Sequence, residues 1–265
     1  MMFPETLCIV RGGGDLATGV IYRLHSAGFP VMVLELAQPR VVRRMASLAQ
    51  ALFAGEAQVD QLRARRSTLA DAHKTLGSVI PVIADPQGYA LANLRPAVVV
   101  DARMAKAPLD TMPQAAQLVV GLGPGLVAGE HCHAVVETQR GHDLGRVIWE
   151  GPAQADTGEP EQVMGYRSER VLRAPVAGQL RATVQIGDLV RRGDTLASVN
   201  GALVTAPFDG MLRGMLFDGI EVRSGEKIGD LDPRGQRRYC FSISDKSLAV
   251  GGGVLEAVLT WLQGR

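Results

Sequence analysis

The densest group of reactive side chains lies between His131 and Arg146, in the segment HCHAVVETQRGHDLGR. This segment holds three of the five histidines of the chain, together with one cysteine and two arginines. Arginine side chains in a loop that contains glycine are suited to phosphate or another anion, because guanidinium groups bind such oxygens through paired N–H donors. The candidate catalytic residues of this segment are Cys132, Glu137, Arg140 and His142.

Cys132 has two interpretations. Flanked by imidazoles, its thiol would have a lowered pKa, and the thiolate could carry sulfur or selenium. The alternative is a small buried residue of a strand. If 131–137 is a strand, His131, His133 and Glu137 face one way and could share a metal. The paired spacing of a structural zinc site is missing, so we predict no metal.

A second chemical motif follows the first apolar run. Gly12, Gly14 and Ala17 match the dinucleotide fingerprint, in which glycines allow a tight turn and close approach of the backbone to a pyrophosphate. Glu35 follows at about the distance expected of a carboxylate that binds ribose hydroxyls. Asp15 would repel a phosphate unless it points away or holds a ribose or a metal. The alternative is a purely structural turn.

Alternating strands and helices must position these residues. An apolar run at 7–10 precedes the glycine loop, a helical pattern extends to about Ala27, and a second apolar run covers 30–34. Ligands in open α/β sheets bind at the carboxyl ends of strands, where Asp101 and Gly123 fall. The candidate cofactor-binding residues are Gly12, Gly13, Gly14, Asp15, Ala17, Glu35, Asp101, Gly123 and Arg146.

The second half contains an internal repeat. Residues 174–201 recur as 206–235, with glycines and apolar residues matched at one constant offset, which indicates one set of short strands used twice. The two copies resemble the halves of a biotinyl/lipoyl-type barrel-sandwich. Their joint at 198–202 contains no lysine, so a covalently loaded arm is not expected. The module would be a rigid docking or gating unit or, alternatively, a structural barrel.

These patterns predict an α/β protein with an N-terminal Rossmann-like parallel sheet domain and a C-terminal all-β barrel-sandwich built from the repeat. The predicted divisions are a nucleotide- or cofactor-binding domain at 1–150, a linker at 151–173, the duplicated module at 174–235 and a C-terminal segment with a helix at 236–265.

Composition excludes several classes of function. The net charge of +1 and the 5% aromatic content disfavour nucleic-acid binding. No apolar run reaches the ~18 residues of a membrane span, and the first residues lack a signal-peptide pattern, so we expect no membrane association. Three cysteines form no disulfide framework and fit a reducing cytoplasm.

Several stretches resemble YqeB-type accessory proteins of selenium-dependent molybdenum hydroxylases: VRGGGDLATGVIYRL, GLGPG, CHAVVETQRGHDLGRV, ERVLRAP and KIGDLDPRG. The first half is also similar to the Rossmann domain of XdhC-type chaperones, which are implicated in holding the molybdenum cofactor. The resemblance implies a cytoplasmic maturation factor that helps to load the cofactor or to add sulfur or selenium to it, with a molybdenum hydroxylase apoenzyme as partner.

Three functions remain open at this point. The first is such a maturation protein, with the molybdenum cofactor or a dinucleotide bound at the glycine loop. The second is an NAD(P)-dependent oxidoreductase of the Rossmann class, with His142 or His133 as proton donor. The third is a non-catalytic scaffold. The sequence does not decide whether the chain is an enzyme or whether it forms a homo-oligomer.

Overall fold

The computed structural model describes residues 1–104 and 110–264 and divides into two compact units. The first unit comprises Met1–Pro39, Leu48–Thr157 and Ile243–Arg265, and the second comprises Arg40–Ser47 and Gly158–Ser242. Each unit is assembled from separate stretches of the chain, whereas the sequence predicts continuous domains.

The described strands of the first unit form one large sheet and one small sheet. They are β1 (Cys8–Arg11), β2 (Val31–Glu35), β3 (Glu56–Val59), β4 (Leu62–Ser67), β5 (Ile80–Ala84), β6 (Val98–Asp101), β7 (Leu118–Leu122), β8 (Val127–Ala128), β9 (Ala134–Val136), β10 (Val147–Ile148) and β11 (Gly151–Pro152). The large sheet has nine strands in the order β10-β9-β7-β6-β1-β2-β5-β4-β3, and β8 pairs with β11.

The centre of the large sheet is parallel and buried. The pairs β1–β2, β1–β6, β2–β5, β4–β5, β6–β7 and β7–β9 are parallel. Strands β1, β6 and β7 are buried along their whole length, as expected where both faces of a sheet are covered. All carboxyl ends of these central strands therefore lie at one edge of the sheet.

The predicted Rossmann-like parallel sheet is wrong, because the sheet is mixed. Antiparallel pairs lie at both edges, β3 with β4 and β10 with β9. Strands β3 and β4 are not continuous apolar runs, so they could not be predicted in that way. In β4, buried residues alternate with the exposed Arg63 and Arg65, and β3 at the edge of the sheet is mostly exposed or half-buried.

Helices cover the sheet and connect its strands. They are α1 (Asp15–Ser26), α2 (Ala51–Ala54), α3 (Leu69–Thr75), α4 (Ala90–Leu94) and α5 (Asp245–Gln263). Short 3₁₀ helices occur at Arg44–Ala46, Leu48–Gln50, Pro113–Ala115, Ser168–Arg170 and Arg237–Cys240. The largest core cluster of the first unit joins the buried faces of α1 and α5 to the central strands.

Glycines allow α1 and α5 to approach closely. A Cβ atom built on Gly19 would lie 2.1 Å from the carbonyl oxygen of Ser247, and one on Gly251 would lie 2.3 Å from the carbonyl oxygen of Gly19. Gly253 packs in the same way against the carbonyl oxygen of Gly145, at 2.1 Å. Gly251 and Gly253 of α5 therefore mark positions where this continuous helix packs against neighbouring backbone.

The second unit contains the internal repeat. Its described strands are β12 (Val171–Arg173), β13 (Gly178–Ala182), β14 (Leu189–Val190), β15 (Thr195–Val199), β16 (Ala202–Thr205), β17 (Gly210–Met215), β18 (Glu221–Val222) and β19 (Lys227–Asp232). Each copy supplies three strands at matching positions, β13, β14 and β15 in the first and β17, β18 and β19 in the second. Asn200 and Gly201, between β15 and β16, have φ angles of 48° and 84°, as the tight turn of a two-residue hairpin requires.

The predicted C-terminal barrel-sandwich is also wrong. The strands lie in two separate antiparallel sheets of four, β12-β19-β17-β14 and β16-β15-β13-β18. Strand β12 and the segment Arg40–Ser47 come from outside the repeat, and a Cβ on Gly214 of β17 would lie 2.8 Å from the Val42 carbonyl oxygen. Repetition within a sequence could not indicate these additional pieces.

Candidate functional site

Two arginines meet at the carboxyl ends of β1 and β6. Arg11 ends β1 and pairs in register with Asp101, which ends β6. The Arg11 side chain is 3% exposed, and its guanidinium donates hydrogen bonds to the Pro86 carbonyl oxygen and the Thr111 hydroxyl, both at 3.2 Å. It also donates to both carboxylate oxygens of Asp110, at 3.1 and 3.0 Å. A guanidinium binds a carboxylate or a phosphate in this paired geometry.

Arg103, two residues beyond β6, supplies the second guanidinium. It donates to the two carboxylate oxygens of Asp101, at 3.0 and 2.6 Å, and to the Thr111 hydroxyl at 2.7 Å. Its other terminal nitrogen donates to an Asp110 oxygen at 2.7 Å. The Asp110 carboxylate therefore accepts three hydrogen bonds from two cations.

Asp110 is the exposed member of this group. Its side chain is 53% exposed, whereas that of Arg103 is 21% exposed and that of Asp101 is 3% exposed. Burial raises the pKa of Asp110, but hydrogen bonds from Arg11 and Arg103 and their charges outweigh burial and lower that pKa to about 2. Burial also raises the pKa of Asp101, and hydrogen bonds from Arg103 and Thr111 outweigh it, so that pKa is lowered as well.

Glycines make room for both arginines. Gly12 has a φ of +97°, and a Cβ there would lie 3.0 Å from the carbonyl carbon and oxygen of Ala102 and 3.1 Å from the Arg103 nitrogen. Gly88 has a φ of +76°, and its Cβ would lie 3.1 Å from the Arg11 guanidinium carbon. Any larger residue at either position would be strained and crowded.

The predicted glycine loop binds groups of the protein itself. The Gly12 N–H donates to the Leu34 carbonyl oxygen at 2.8 Å, and the Gly13 N–H donates to a Glu35 carboxylate oxygen at 2.8 Å. The other Glu35 oxygen accepts from the Leu36 N–H at 2.7 Å. Burial raises the pKa of Glu35 against the lowering effect of these hydrogen bonds and of the Arg103 charge. A phosphate at the Gly13 amide would have to displace the Glu35 carboxylate.

The remaining predicted cofactor-binding residues are distributed around this loop and beyond it. Gly14 precedes α1, and Asp15 accepts a hydrogen bond from the Ser247 hydroxyl at 2.9 Å. Ala17 is buried on α1. Gly123 follows β7 with a φ of +77°.

Cys132 lies in the interior of the first unit. It is fully buried in a cluster that includes Val119 and Val135, and its thiol donates a weak hydrogen bond to the Val127 carbonyl oxygen at 3.8 Å. Burial raises the pKa of this thiol to about 11. The structure thus favours the buried-residue interpretation over that of a reactive thiolate.

Glu137 joins two loops. It is 2% exposed, and its carboxylate accepts hydrogen bonds from the backbone N–H groups of Gln139, at 2.7 Å, and Gln154, at 2.8 Å. Both oxygens therefore hold backbone amides in place, which accounts for a buried carboxylate without a catalytic role.

The charged residues that follow Glu137 lie nearer the surface. Arg140 donates two hydrogen bonds to the Asp245 carboxylate, both at 2.8 Å. Arg146 donates to Asp143 at 3.0 Å, and the His142 side chain is exposed.

The neighbouring histidines serve the backbone. The ring nitrogen Nδ1 of His131 accepts from the Val127 N–H at 3.1 Å, and that of His133 accepts from the Val119 N–H at 2.9 Å. In the part of the chain that the structure describes, no group of three or more His, Cys, Asp or Glu side chains is placed to hold a metal ion.

Sequence reasoning found Asp101 and missed Arg11, Arg103, Asp110 and Thr111. A signal existed, because a cation directly after the apolar run of β1 and another after that of β6 both fall at carboxyl ends of parallel strands. Within residues 1–104 and 110–264, every helix is too short or too polar to span a bilayer.

The first unit is thus a mixed-sheet structure with an arginine pair at the carboxyl ends of its central strands.

The chain is similar to an Escherichia coli K12 protein named Uncharacterized protein YqeB, with 49% identity over 255 residues that cover 96% of this chain and 47% of that protein. It spans about half the length of this curated relative. The match confirms the resemblance to YqeB, while the molybdenum-hydroxylase role and the similarity to XdhC-type chaperones remain predictions. No protein-family model matches the chain.

Two solved structures show distant likeness to the chain. An aspartoacylase family protein from Mesorhizobium loti has 11% identity and a TM-score of 0.29, covering 86% of this chain and 85% of that one. The ectoine utilization protein EutE from Ruegeria pomeroyi has 14% identity and a TM-score of 0.27, with coverage of 86% and 85%. Likeness at this level supports no conclusion about fold or function.

Proposed function

We propose that the first unit binds the acidic group of a small-molecule cofactor at the arginine pair, and that the chain is an accessory protein for maturation of a molybdenum hydroxylase. The observation that carries the binding proposal is the convergence of three N–H donors from Arg11 and Arg103 on one exposed carboxylate. The maturation role is supported by the resemblance of several stretches of the sequence to YqeB-type accessory proteins.

The residues present fit the phosphate of the molybdenum cofactor or of a nucleotide. Arg11 and Arg103 would hold that phosphate, since planar guanidinium groups match its oxygens. The bound cofactor would supply the redox chemistry of the client hydroxylase. The chain's own residues bind and orient it. Cys132 fits sulfur or selenium transfer poorly, because its pKa is raised to about 11.

Partner and compartment complete the proposal. A molybdenum hydroxylase apoenzyme would be the client, with the duplicated second unit as its docking module. The three cysteines, which are free and buried, agree with a reducing cytoplasm.

Calorimetric titration of the full chain with molybdopterin, and separately with NADH and NADPH, tests the proposal. Arg103→Gln removes three hydrogen bonds to carboxylates, and one charged hydrogen bond is worth about 1.5–3 kcal/mol, so we expect roughly tenfold or greater loss of affinity. Arg65→Gln, which removes an exposed arginine paired with Glu56, is the matched control and should bind as the wild type does. Failure of the wild type to bind molybdopterin, or equal binding by Arg103→Gln, would contradict the proposal. Binding of NADH or NADPH alone would favour the oxidoreductase.

A further inference from the structure

The Asp110 carboxylate occupies the place in which the arginine pair would receive a ligand. Arg11 holds it with two parallel hydrogen bonds, and Arg103 adds a third. We propose that Asp110 is an internal substitute for the ligand, and that a phosphate or carboxylate group of the ligand binds between Arg11 and Arg103 by exchanging with it. This inference rests on the proposed function and specifies how that site is filled.

Exposure separates Asp110 from the other partners of the two arginines. Pro86 offers a backbone carbonyl, and Thr111 and Asp101 are buried at 1% and 3% exposure. Asp110 is 53% exposed. Among the partners that the structure describes, Asp110 is the one placed to turn into solvent, because its carboxylate is already half hydrated.

The charges of these residues favour exchange of Asp110 for an acidic group of the ligand over addition of that group to the occupied site. Two arginines face Asp101 and Asp110, and Glu35 lies within electrostatic range of Arg103. An anion added to this set would meet a local excess of negative charge. A ligand carboxylate that replaces Asp110 leaves the balance unchanged, and a phosphate adds at most one further negative charge. In both cases Asp101 keeps its own hydrogen bonds from Arg103 and Thr111.

The exchange makes a quantitative prediction for Asp110→Asn. An internal carboxylate that fills the site most of the time lowers the apparent affinity for an external anion by the fraction of time the site is free. Calorimetric titration of the full chain with inorganic phosphate in one series, and with acetate in another, should show at least about tenfold tighter binding by Asp110→Asn than by the wild type. The anion whose binding is tightened in Asp110→Asn identifies the acidic group, phosphate or carboxylate, that the site takes. Arg103→Gln in the Asp110→Asn background should abolish the gain.

Glu56→Gln is the matched control, since it removes the same charge from a carboxylate–arginine pair elsewhere in the first unit and should leave affinity unchanged. Asp110→Ser gives a second variant, and thermal unfolding shows which variants are folded. Unchanged or weaker binding of both anions by the folded Asp110 variants overturns the inference. The titrants are simple anions, so failure of molybdopterin to bind would refute the proposed function and leave this result standing.

Discussion

The triple glycine of α5 allows a sharp test of how the first unit is packed. In Gly251→Ala the new methyl carbon would lie 2.3 Å from the Gly19 carbonyl oxygen and 2.6 Å from its carbonyl carbon. In Gly252→Ala, one residue further along the same helix, the new methyl would have no atom within 4 Å apart from its chain neighbours and the nearby backbone of its own helix. The two variants therefore differ in packing and share the same change in helix propensity.

The magnitudes follow from these distances. Alanine is about 1 kcal/mol more favourable than glycine inside a helix, and Gly252→Ala should gain up to that amount. In Gly251→Ala the same gain is opposed by contact far inside the ordinary carbon–oxygen separation of about 3.3 Å. Relieving it requires α1 and α5 to move apart, and forcing an extra group into a packed interior costs roughly 1–3 kcal/mol or more. The two variants should differ by about 1–3 kcal/mol in stability.

Tryptophan fluorescence during urea unfolding measures this difference in the first unit alone. Both tryptophans of the chain, Trp149 and Trp261, belong to that unit, and Trp261 lies on α5 itself. The free energies of unfolding would be compared with the same dependence on urea concentration for both variants. If Gly251→Ala proved as stable as Gly252→Ala, the close contact of α1 and α5 would be wrong.

Three further predictions concern charge, thiol reactivity and capping. The pKa of Asp110 is about 2 in the folded chain and ~3.9 when unfolded. Its stabilising effect is therefore present above pH ~4 and is lost as pH falls through about 2. The difference in unfolding free energy between wild type and Asp110→Asn, measured from unfolding curves at each pH, should shrink over that range. Burial raises the pKa of Cys132 to about 11 and that of Cys8 to about 12. Iodoacetamide at pH 8 should therefore modify neither thiol in the native chain and both in urea, and rapid native labelling of Cys132 would support the predicted reactive thiolate. Ser244→Ala removes the hydroxyl that accepts a hydrogen bond from the Ser247 N–H at 3.1 Å and should lower the free energy of unfolding by about 1 kcal/mol. Ser244→Thr keeps a capping hydroxyl and should lower it less. Equal losses of stability in the two variants would rule out capping.

The local order of elements around the glycine loop could be predicted from the sequence. The apolar runs and the helical pattern before Ala27 correspond to β1, α1 and β2, because buried parallel strands are continuous apolar segments. The repeat likewise predicted strands at matching positions in its two copies. These signals are local, and each depends on a few neighbouring residues.

The assembly of these elements depends on contacts between distant residues, which no local pattern carries. Arg11 at the end of an apolar run has the same signature as a solvated strand end. Its burial is caused by Pro86 and Gly88 on one side and by Asp110 and Thr111 on the other, about 75 to 100 positions away. Cys132 and Glu137 illustrate the same limit, because residue type alone does not indicate that the first side chain packs in the core and the second accepts backbone hydrogen bonds.

The glycine fingerprint marks the loop beside the proposed site, although its glycines act differently from what the fingerprint predicts. Gly12 and Gly13 were expected to present backbone amides to a phosphate, yet those amides bind Leu34 and Glu35. The missing Cβ of Gly12 instead admits the backbone of Ala102 and Arg103. Close approach of the loop to the end of β6 brings Arg103 beside Arg11. Anion recognition in the proposed site therefore depends on two side chains that the glycine positions, which is why substitution of Arg103 is a more direct test of binding than substitution within the loop.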